Sequence, residues 1–422
     1  MQILLTLSVA LFAGLMLSRL AKVVKLPAVT AYLVAGVLIG PFLLGRLGVK
    51  GLGFVSLQDV DSYGIISDVA LGFIAFLIGN EFRLAQLKKI GKQATVIGIF
   101  QAVFTTALVD VVLIALHFIM PEKFPIEAAI VLGAVAAATA PAATLMVVKQ
   151  YKAKGPVTDI LLPIVALDDA VGLVLFAISF GIAKAIKTGI ISITSVLLEP
   201  VLEVVVSLGL GLLMGALFTY CERFFHSRSK RLAVSVTFVL LTVSISMAEF
   251  EVFGIHIAFS SLLSCMMLGT VFCNMCVFSE ELMDRIDRWT SPLFILFFVL
   301  SGAEFDLAIF KDGLIVLIGV VYIVTRCVGK YFGAEISARA TKCDANIIKY
   351  LGITLFPQAG VALGMAIKAK TLDPKVGSLI ASITLFAVLI YELVGPILTK
   401  MSLLKAGEIK PEGKVSARKK EV

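Results

Sequence analysis

The sequence predicts an all-α polytopic membrane protein of thirteen transmembrane helices, on three observations. The 422 residues are 59% hydrophobic and only 16% charged, with a mean hydropathy of +1.03, more apolar surface than a soluble domain buries. Apolar windows of the ~18 or more residues that cross a ~30 Å hydrocarbon core recur along the chain. No barrel-like alternation is visible, and lipid otherwise admits only helices, whose backbone hydrogen bonds are internal.

The windows run over about 2–20, 28–45, 64–82, 95–120, 126–148, 159–183, 193–220, 232–248, 253–276, 290–303, 313–336, 348–368 and 376–400. The first has no basic n-region and no A-x-A-like cleavage site, so it reads as a retained span. With the amino terminus outside and the carboxyl terminus cytoplasmic, the cytoplasmic connections carry 26 basic residues and the opposite ones 9, which is the expected bias of a multi-pass cell-membrane protein. Two of the 37 bases remain, Arg326 and Lys330, both inside the eleventh span. The net charge of +8 therefore reads as topology and anionic-lipid contact, and nucleic acid is not implied. The six cysteines lie in spans or at cytoplasmic edges, where disulfides are not expected. "CNMC" at 273–276 has no second Cys or His pair beside it, and His117, His226 and His256 are scattered. Nothing calls for a cofactor or for an enzyme's catalytic set.

An internal repeat organises the chain. "GNEFRLA" at 79–85 recurs as "GAEFDLA" at 302–308, a shift of 223, and the same shift carries "LDDAVGLVL" at 167–175 onto "IYELVGPIL" at 390–398, aligning Asp169 with Glu392. Equivalent spans lie seven apart and so run in opposite directions. This predicts an inverted repeat within a membrane domain over 1–403: repeat 1 over about 1–184, a linker helix at 193–220 and repeat 2 over about 232–403, followed by a basic cytoplasmic tail at 404–422. Inverted repeats of this kind build secondary transporters, with the site at mid-membrane between interrupted helices.

Each repeat supplies one interruption. Pro141 sits in "GAVAAATAPAATLMVV", and Pro357 in "GITLFPQAGVALGMA". A proline removes the bond to the carbonyl four residues back, here those of Ala137 and Ile353, and Thr139, Thr144, Thr354 and Gln358 add polar atoms nearby.

Between these interruptions in the sequence lies "ALDDAVG", with Asp168 and Asp169 adjacent in an apolar run. A charge at the bilayer centre costs about 2.5–3.5 kcal/mol on insertion scales. Neighbours on a helix project about 100° apart, so one aspartate can face a fixed cation and the other a water-filled cavity. A carboxylate in such a place holds either a proton or a metal cation, and that competition is an exchange mechanism. Arg326 and Lys330, spaced i, i+4, share a helix face and are the candidate fixed cations.

"TAPAATLMVV", "LDDAVG", "FFVLSGAEFDL", "TRCVGKYFGA" and "LFPQAGVALGMA" together resemble the monovalent cation:proton antiporters, in the bacterial branch of sodium/proton exchangers and potassium-efflux systems. The resemblance covers nearly the whole chain. It implies a homodimer of thirteen-helix protomers, each with a dimer domain and a mobile core of spans 4–6 and 11–13, working by elevator-like alternating access. It makes Asp169 the ion- and proton-binding carboxylate and places Thr139 at the helix crossover beside the ion. It makes Asp168 the partner of the basic residue of the eleventh span, Arg326 by position, and gives Glu392 a bracing role.

Two departures stand out. Electrogenic members usually carry Lys where Arg326 stands; a permanently protonated Arg paired with Asp168 implies one-for-one exchange, whereas Lys330 in that place would let a second proton travel. Potassium-efflux members usually carry a nucleotide-binding domain, and this chain closes on a short basic tail; "SLGLGLLMG" at 207–215 lies inside a span and reads as helix packing.

The expected function is exchange of Na⁺, or of Li⁺ or K⁺, for H⁺, with potassium/proton exchange of the efflux type as the alternative. An intramembrane aspartyl protease needs aspartates converging from separate helices, and these are adjacent. A sodium-coupled symporter needs no acid pair titrating against a cation.

Overall fold

The computed structural model describes residues 2–23, 26–49, 53–79, 82–188, 199–248, 250–252, 255–257, 259–276, 278–305, 310–369 and 372–409. The helices are α1 (Gln2–Val23), α2 (Ala28–Ile39), α3 (Leu57–Asp61), α4 (Gly64–Gly79), α5 (Leu84–Ile119), α6 (Ile126–Val135), α7 (Pro141–Tyr151), α8 (Pro156–Thr188), α9 (Glu199–Glu222), α10 (Arg228–Ser246), α11 (Ser261–Met275), α12 (Ser279–Ala303), α13 (Gly313–Ala340), α14 (Ala345–Thr354), α15 (Gly360–Ala369) and α16 (Pro374–Lys405). Among the described residues, nine segments are long and apolar enough to cross a membrane, and Gly64–Gly79, Ile126–Val135 and Ser261–Met275 are shorter apolar helices. The chain is a multi-pass membrane protein.

Several boundaries differ from the sequence expectation, each for a local reason. The window at 253–276 opens on the second strand of a pair that straddles its start: β1 (Phe250–Val252) runs antiparallel to β2 (Ile255–Ile257), with Val252, Ile255 and Ile257 β-branched. The helix starts only at Ser261, after Ser260 accepts a cap bond from the Leu263 amide. The window at 290–303 is the apolar end of a longer helix. The charged start of α12 is steadied by i, i+4 pairs between Glu281 and Arg285 and between Asp284 and Arg288. Repeat and tail boundaries fall inside elements: α8 continues past 184 to Thr188, and α16 runs through 403 to Lys405. Residues 193–198 of the expected linker helix and 410–422 of the expected tail lie outside the described residues, as do parts of both quoted copies of the 79–85 repeat.

Two groups of helices emerge from the packing. The first joins α1, α2, α4, α9, α10, α11 and α12; the second joins α5, α6, α7, α8, α13, α14, α15 and α16. They meet along a seam where α4 and α2 touch α7, α16 touches α2, and α8 touches α9. The first group is held by backbone approaching backbone. A Cβ on Gly36 would lie 2.0 Å from the Val299 carbonyl oxygen, and one on Gly302 2.2 Å from that of Leu33, so α2 and α12 are in direct contact. Gly79 and Gly269 join α4 and α11 in the same way, at 2.2 and 2.1 Å from the Met266 and Phe76 carbonyl oxygens. Small residues permit this approach, which maximises dispersion contact where no hydrophobic drive separates helix from lipid.

A methyl group at such a contact forces two helix backbones apart. Gly302→Ala is expected to destabilise the protein by about 1–3 kcal/mol, read as a fall in melting temperature in detergent. Gly209→Ala on α9, where a Cβ would meet nothing within 4 Å, is expected to leave it unchanged. Equal melting temperatures for the two variants would contradict the packing.

Candidate functional site

Both interruptions are real breaks, and they cross. Helix α6 ends at Val135, and α7 begins at Pro141, where a ring that fixes φ and lacks an N–H suits the first helical position. Helix α14 ends at Thr354 and α15 begins at Gly360, with Pro357 in the unwound stretch. The Ala140 amide donates to the Pro357 carbonyl at 2.8 Å, so one break is bonded to the other. The carboxyl ends of α6 and α14 both finish here, each a cluster of unpaired carbonyls at the negative end of a helix dipole.

Arg326 answers that need. Its Nε donates to the Ala136 carbonyl at 2.9 Å, Nη2 to Ala138 at 2.6 Å and Nη1 to Phe356 at 2.7 Å. The guanidinium also lies 4.5 Å from the Tyr391 ring centroid, a cation–π contact. A planar fork with five donors suits three carbonyls approaching from two helix ends. Gln358 does the same on a smaller scale: its Nε2 donates to the Val135 carbonyl at 2.7 Å and to the Tyr322 hydroxyl at 3.1 Å.

Of the two candidate bases, it is Lys330 that meets Asp168. Lys330 lies 2.9 Å from Asp168 Oδ2, with both side chains fully buried. Arg326 is spent on carbonyls, and Lys330, one turn further along α13, reaches the carboxylate. Lys330 Nζ also donates to the Ala137 carbonyl at 2.5 Å and to Thr139 Oγ1 at 3.0 Å. The Ala137 carbonyl, which Pro141 was expected to free, is thus taken up by a lysine. The Ile353 carbonyl is not freed: it accepts from the Phe356 amide at 3.4 Å. Because α14 ends before Pro357, the carbonyls that this break offers are those of Leu355, Phe356 and Pro357, which accept from Thr139 Oγ1, Arg326 Nη1 and the Ala140 amide.

Asp168 is saturated. Besides Lys330 it accepts from Thr139 Oγ1 at 2.6 Å on Oδ2 and from Gln101 Nε2 on Oδ1. Asp169, about 100° round the same helix, is its opposite. It is 1% exposed, and neither carboxylate oxygen has a hydrogen-bond partner. Glu392 is buried on α16 with Oε2 unpartnered, and Thr144 Oγ1 is likewise buried without a partner. A narrow, partly open pocket reaches Thr139 and Pro141 from the seam, between Leu71 of α4, Leu262 of α11, Phe297 of α12 and Val361 of α15.

Gln101 and Tyr391 were missed in the sequence. Gln101 has a readable signal, a lone amide within an apolar span, and its approach is prepared on α13: a Cβ on Gly333 would lie 2.9 Å from the Gln101 Cα. Tyr322 shares the face of Arg326 and Lys330 at a four-residue spacing, a pattern visible beforehand. Nothing local marks Tyr391. The C-x-x-C pair makes no shared site: Cys273 faces the Gly79 carbonyl and Cys276 faces Glu222, and no cluster of three or more metal-ligating side chains occurs among the described residues.

The profile of the transmembrane sodium/hydrogen exchangers matches residues 7–405. The Na(+)/H(+) antiporter NhaS4 of Synechocystis is 24% identical over 357 residues, covering 83% of this chain and 84% of its own. The K(+)/H(+) antiporter subunit KhtU of Bacillus subtilis is 23% identical over 394 residues, covering 91% and 90%. Two structures of the sodium proton antiporter MjNhaP1 from Methanocaldococcus jannaschii share the fold. One has a TM-score of 0.74 at 16% identity, covering 96% of this chain and 98% of that one; the other, at pH 8, has 0.69 at 18%, covering 96% and 99%. With a profile match over all but the two ends of the sequence, the chain belongs to the transmembrane sodium/hydrogen exchanger family.

Proposed function

We propose that this chain exchanges Na⁺ for H⁺ across the cell membrane by alternating access, with Asp169 holding the cation and the proton in turn. The observation that carries this reading is the Asp169 carboxylate, buried beside two crossed helix breaks with both oxygens unpartnered. Such a group is costly as a bare anion and is relieved either by a proton or by a cation, so one ligand displaces the other. Thr139 and Asp168 supply further oxygens on the crossover side. The K(+)/H(+) likeness of KhtU supports K⁺ as the second reading, with Li⁺ as a further candidate.

The Lys330–Asp168 contact favours a second transported proton. When a cation draws Asp168 toward Asp169, Lys330 loses its counter-charge, and a lysine, unlike an arginine, can give up its proton. Exchange is then two protons for one cation, and net charge moves. In the same reading, each pair of half-helices crosses as one interrupted span, giving thirteen crossings in inverted repeats with the amino terminus outside. The group containing α5 to α8 and α13 to α16 moves against the other, which forms a homodimer.

In proteoliposomes with an imposed pH gradient, a pH-sensitive dye is expected to report proton movement on adding Na⁺, and a series with Li⁺ and K⁺ ranks the cations. No response to any alkali cation would sink the proposal. Asp169→Asn is expected to reduce exchange below detection with the melting temperature retained. Asp168→Asn leaves the Lys330 ammonium buried without its counter-ion, and the expected cost is about 3–5 kcal/mol of stability together with a partial loss of exchange; an unchanged melting temperature would contradict the pairing. With the potential clamped by valinomycin and potassium, Na⁺-driven exchange is expected to follow the voltage, and Lys330→Arg to keep exchange while losing the current. Voltage-independent exchange in the wild type would show that Lys330 carries no proton.

A further inference from the structure

Helix α8 carries Asp168 and Asp169, yet it begins without a cap of its own. Its first residue, Pro156, is preceded by Gly155, which has no side chain to accept from the free amides of the first turn. The acceptor comes from 250 residues away. Glu408 Oε1 accepts from the Val157 amide at 2.6 Å, and Oε2 accepts from the Thr158 amide at 2.8 Å and from Thr158 Oγ1 at 2.6 Å. The Lys154 amide donates to the Glu408 carbonyl at 3.1 Å. A carboxylate there also meets the positive end of the helix dipole. Gly155 makes room: a Cβ at that position would lie 2.6 Å from Glu408 Cδ.

Glu408 is delivered by the way α16 ends. Gly407 turns left-handed, at φ 77°; its amide bonds the Leu404 carbonyl at 3.1 Å and the Glu408 amide bonds that of Leu403 at 2.9 Å. That is a Schellman stop, which needs glycine at the left-handed position and reverses the chain so that the next side chain points back at α8. Ile409 is buried behind it, and Asn346 at the start of α14 donates to the Ala406 carbonyl at 3.2 Å.

The far ends of the same two helices are joined as well. Lys187 in the last turn of α8 bonds Asp373, the N-cap of α16, whose Oδ1 accepts from the Lys375 and Val376 amides at 2.7 and 3.1 Å. The hydrogen bond from Lys187 and the cap amides hold the Asp373 carboxyl down at about 2. A depressed carboxylate contributes stability that is present above its ordinary value and lost only as pH falls toward about 2. Between their ends, α8 and α16 have the half-helices packed between them: each lies against α6, α7, α14 and α15.

We propose that Glu408 is a positioning residue: with Lys187–Asp373 it closes a two-ended clasp that fixes α8 to α16, so that the helix bearing Asp169 and the helix bearing Glu392 travel as one frame around the crossed breaks. The effect on transport rests on the antiport reading above, whereas the clasp itself is a property of the fold with its own readout. Hydrogen exchange by mass spectrometry on the purified protein reads it directly. In E408A, peptides covering the first turn of α8 and the start of α14 are expected to exchange faster, and in E408Q, which keeps one acceptor oxygen, less so. In proteoliposomes, E408A and D373N are each expected to lower the exchange rate per folded transporter by about tenfold, ~1.4 kcal/mol in the barrier, with the apparent KM for Na⁺ unchanged. The double variant is expected to lose no more than the worse single one, because opening either end opens the frame. Unchanged protection in E408A overturns the proposal. So do losses that multiply in the double variant, and so does a fall in melting temperature with the rate per folded transporter intact. Absence of exchange in the wild type would instead refute the antiport reading, leaving the hydrogen-exchange result to judge the clasp. Should E408A fail to fold, E408Q and D373N provide the same comparison.

Discussion

The site depends on the capture of unpaired helix carbonyls by two buried cations. Breaking two helices in the middle of an apolar bundle strands backbone acceptors away from their helical donors, at several kcal/mol for each group left unsatisfied in hydrocarbon. Arg326 takes three of these carbonyls, from two separate chain segments, and Lys330 takes a fourth. The cations are thereby fixed by the backbone before any ion arrives, and Lys330 in turn fixes Asp168. One turn of α13 thus does two jobs: the arginine keeps the breaks open, and the lysine presents a positive charge to the acids.

The adjacency of the two aspartates follows from the same constraint. The ~100° between neighbouring positions on a helix turns Asp168 into the ring of donors around the crossover and leaves Asp169 out of it. A single carboxylate could not be both saturated and vacant. Division of labour between neighbours is the simplest way for one helix to supply a partner for the lysine and an open acceptor beside it.

Much of the helical architecture was legible in the sequence because lipid enforces it: apolar windows give helices, a proline within a span gives a break, and stray charges point to the candidate site. Arg326, Lys330, Asp168, Asp169, Thr139 and Gln358 do gather at one crossover. What was not legible is which base meets which acid. Arg326 and Lys330 share a helix face, and only the position of the carbonyls of Ala136, Ala138 and Phe356 in space decides between them. Tyr391 under the guanidinium and Glu408 on the start of α8 were hidden for the same reason, since each acts across scores or hundreds of residues of sequence. The strand pair before α11 escaped because a short β-branched run at the edge of an apolar window scores like a helix on hydropathy alone.

The glycine contacts between α2 and α12 and between α4 and α11 have a mechanical consequence. Where backbone lies against backbone there are no side chains to change rotamer, and a shift of a few tenths of an ångström already meets hard repulsion; such joints behave as welds. The seam with the other helix group is built differently, from side chains and a pocket at its middle. Its contacts, such as Gln150 Oε1 accepting from the Ala28 amide and Lys149 against Asp287, run through side chains, which yield by changing rotamer where a weld cannot.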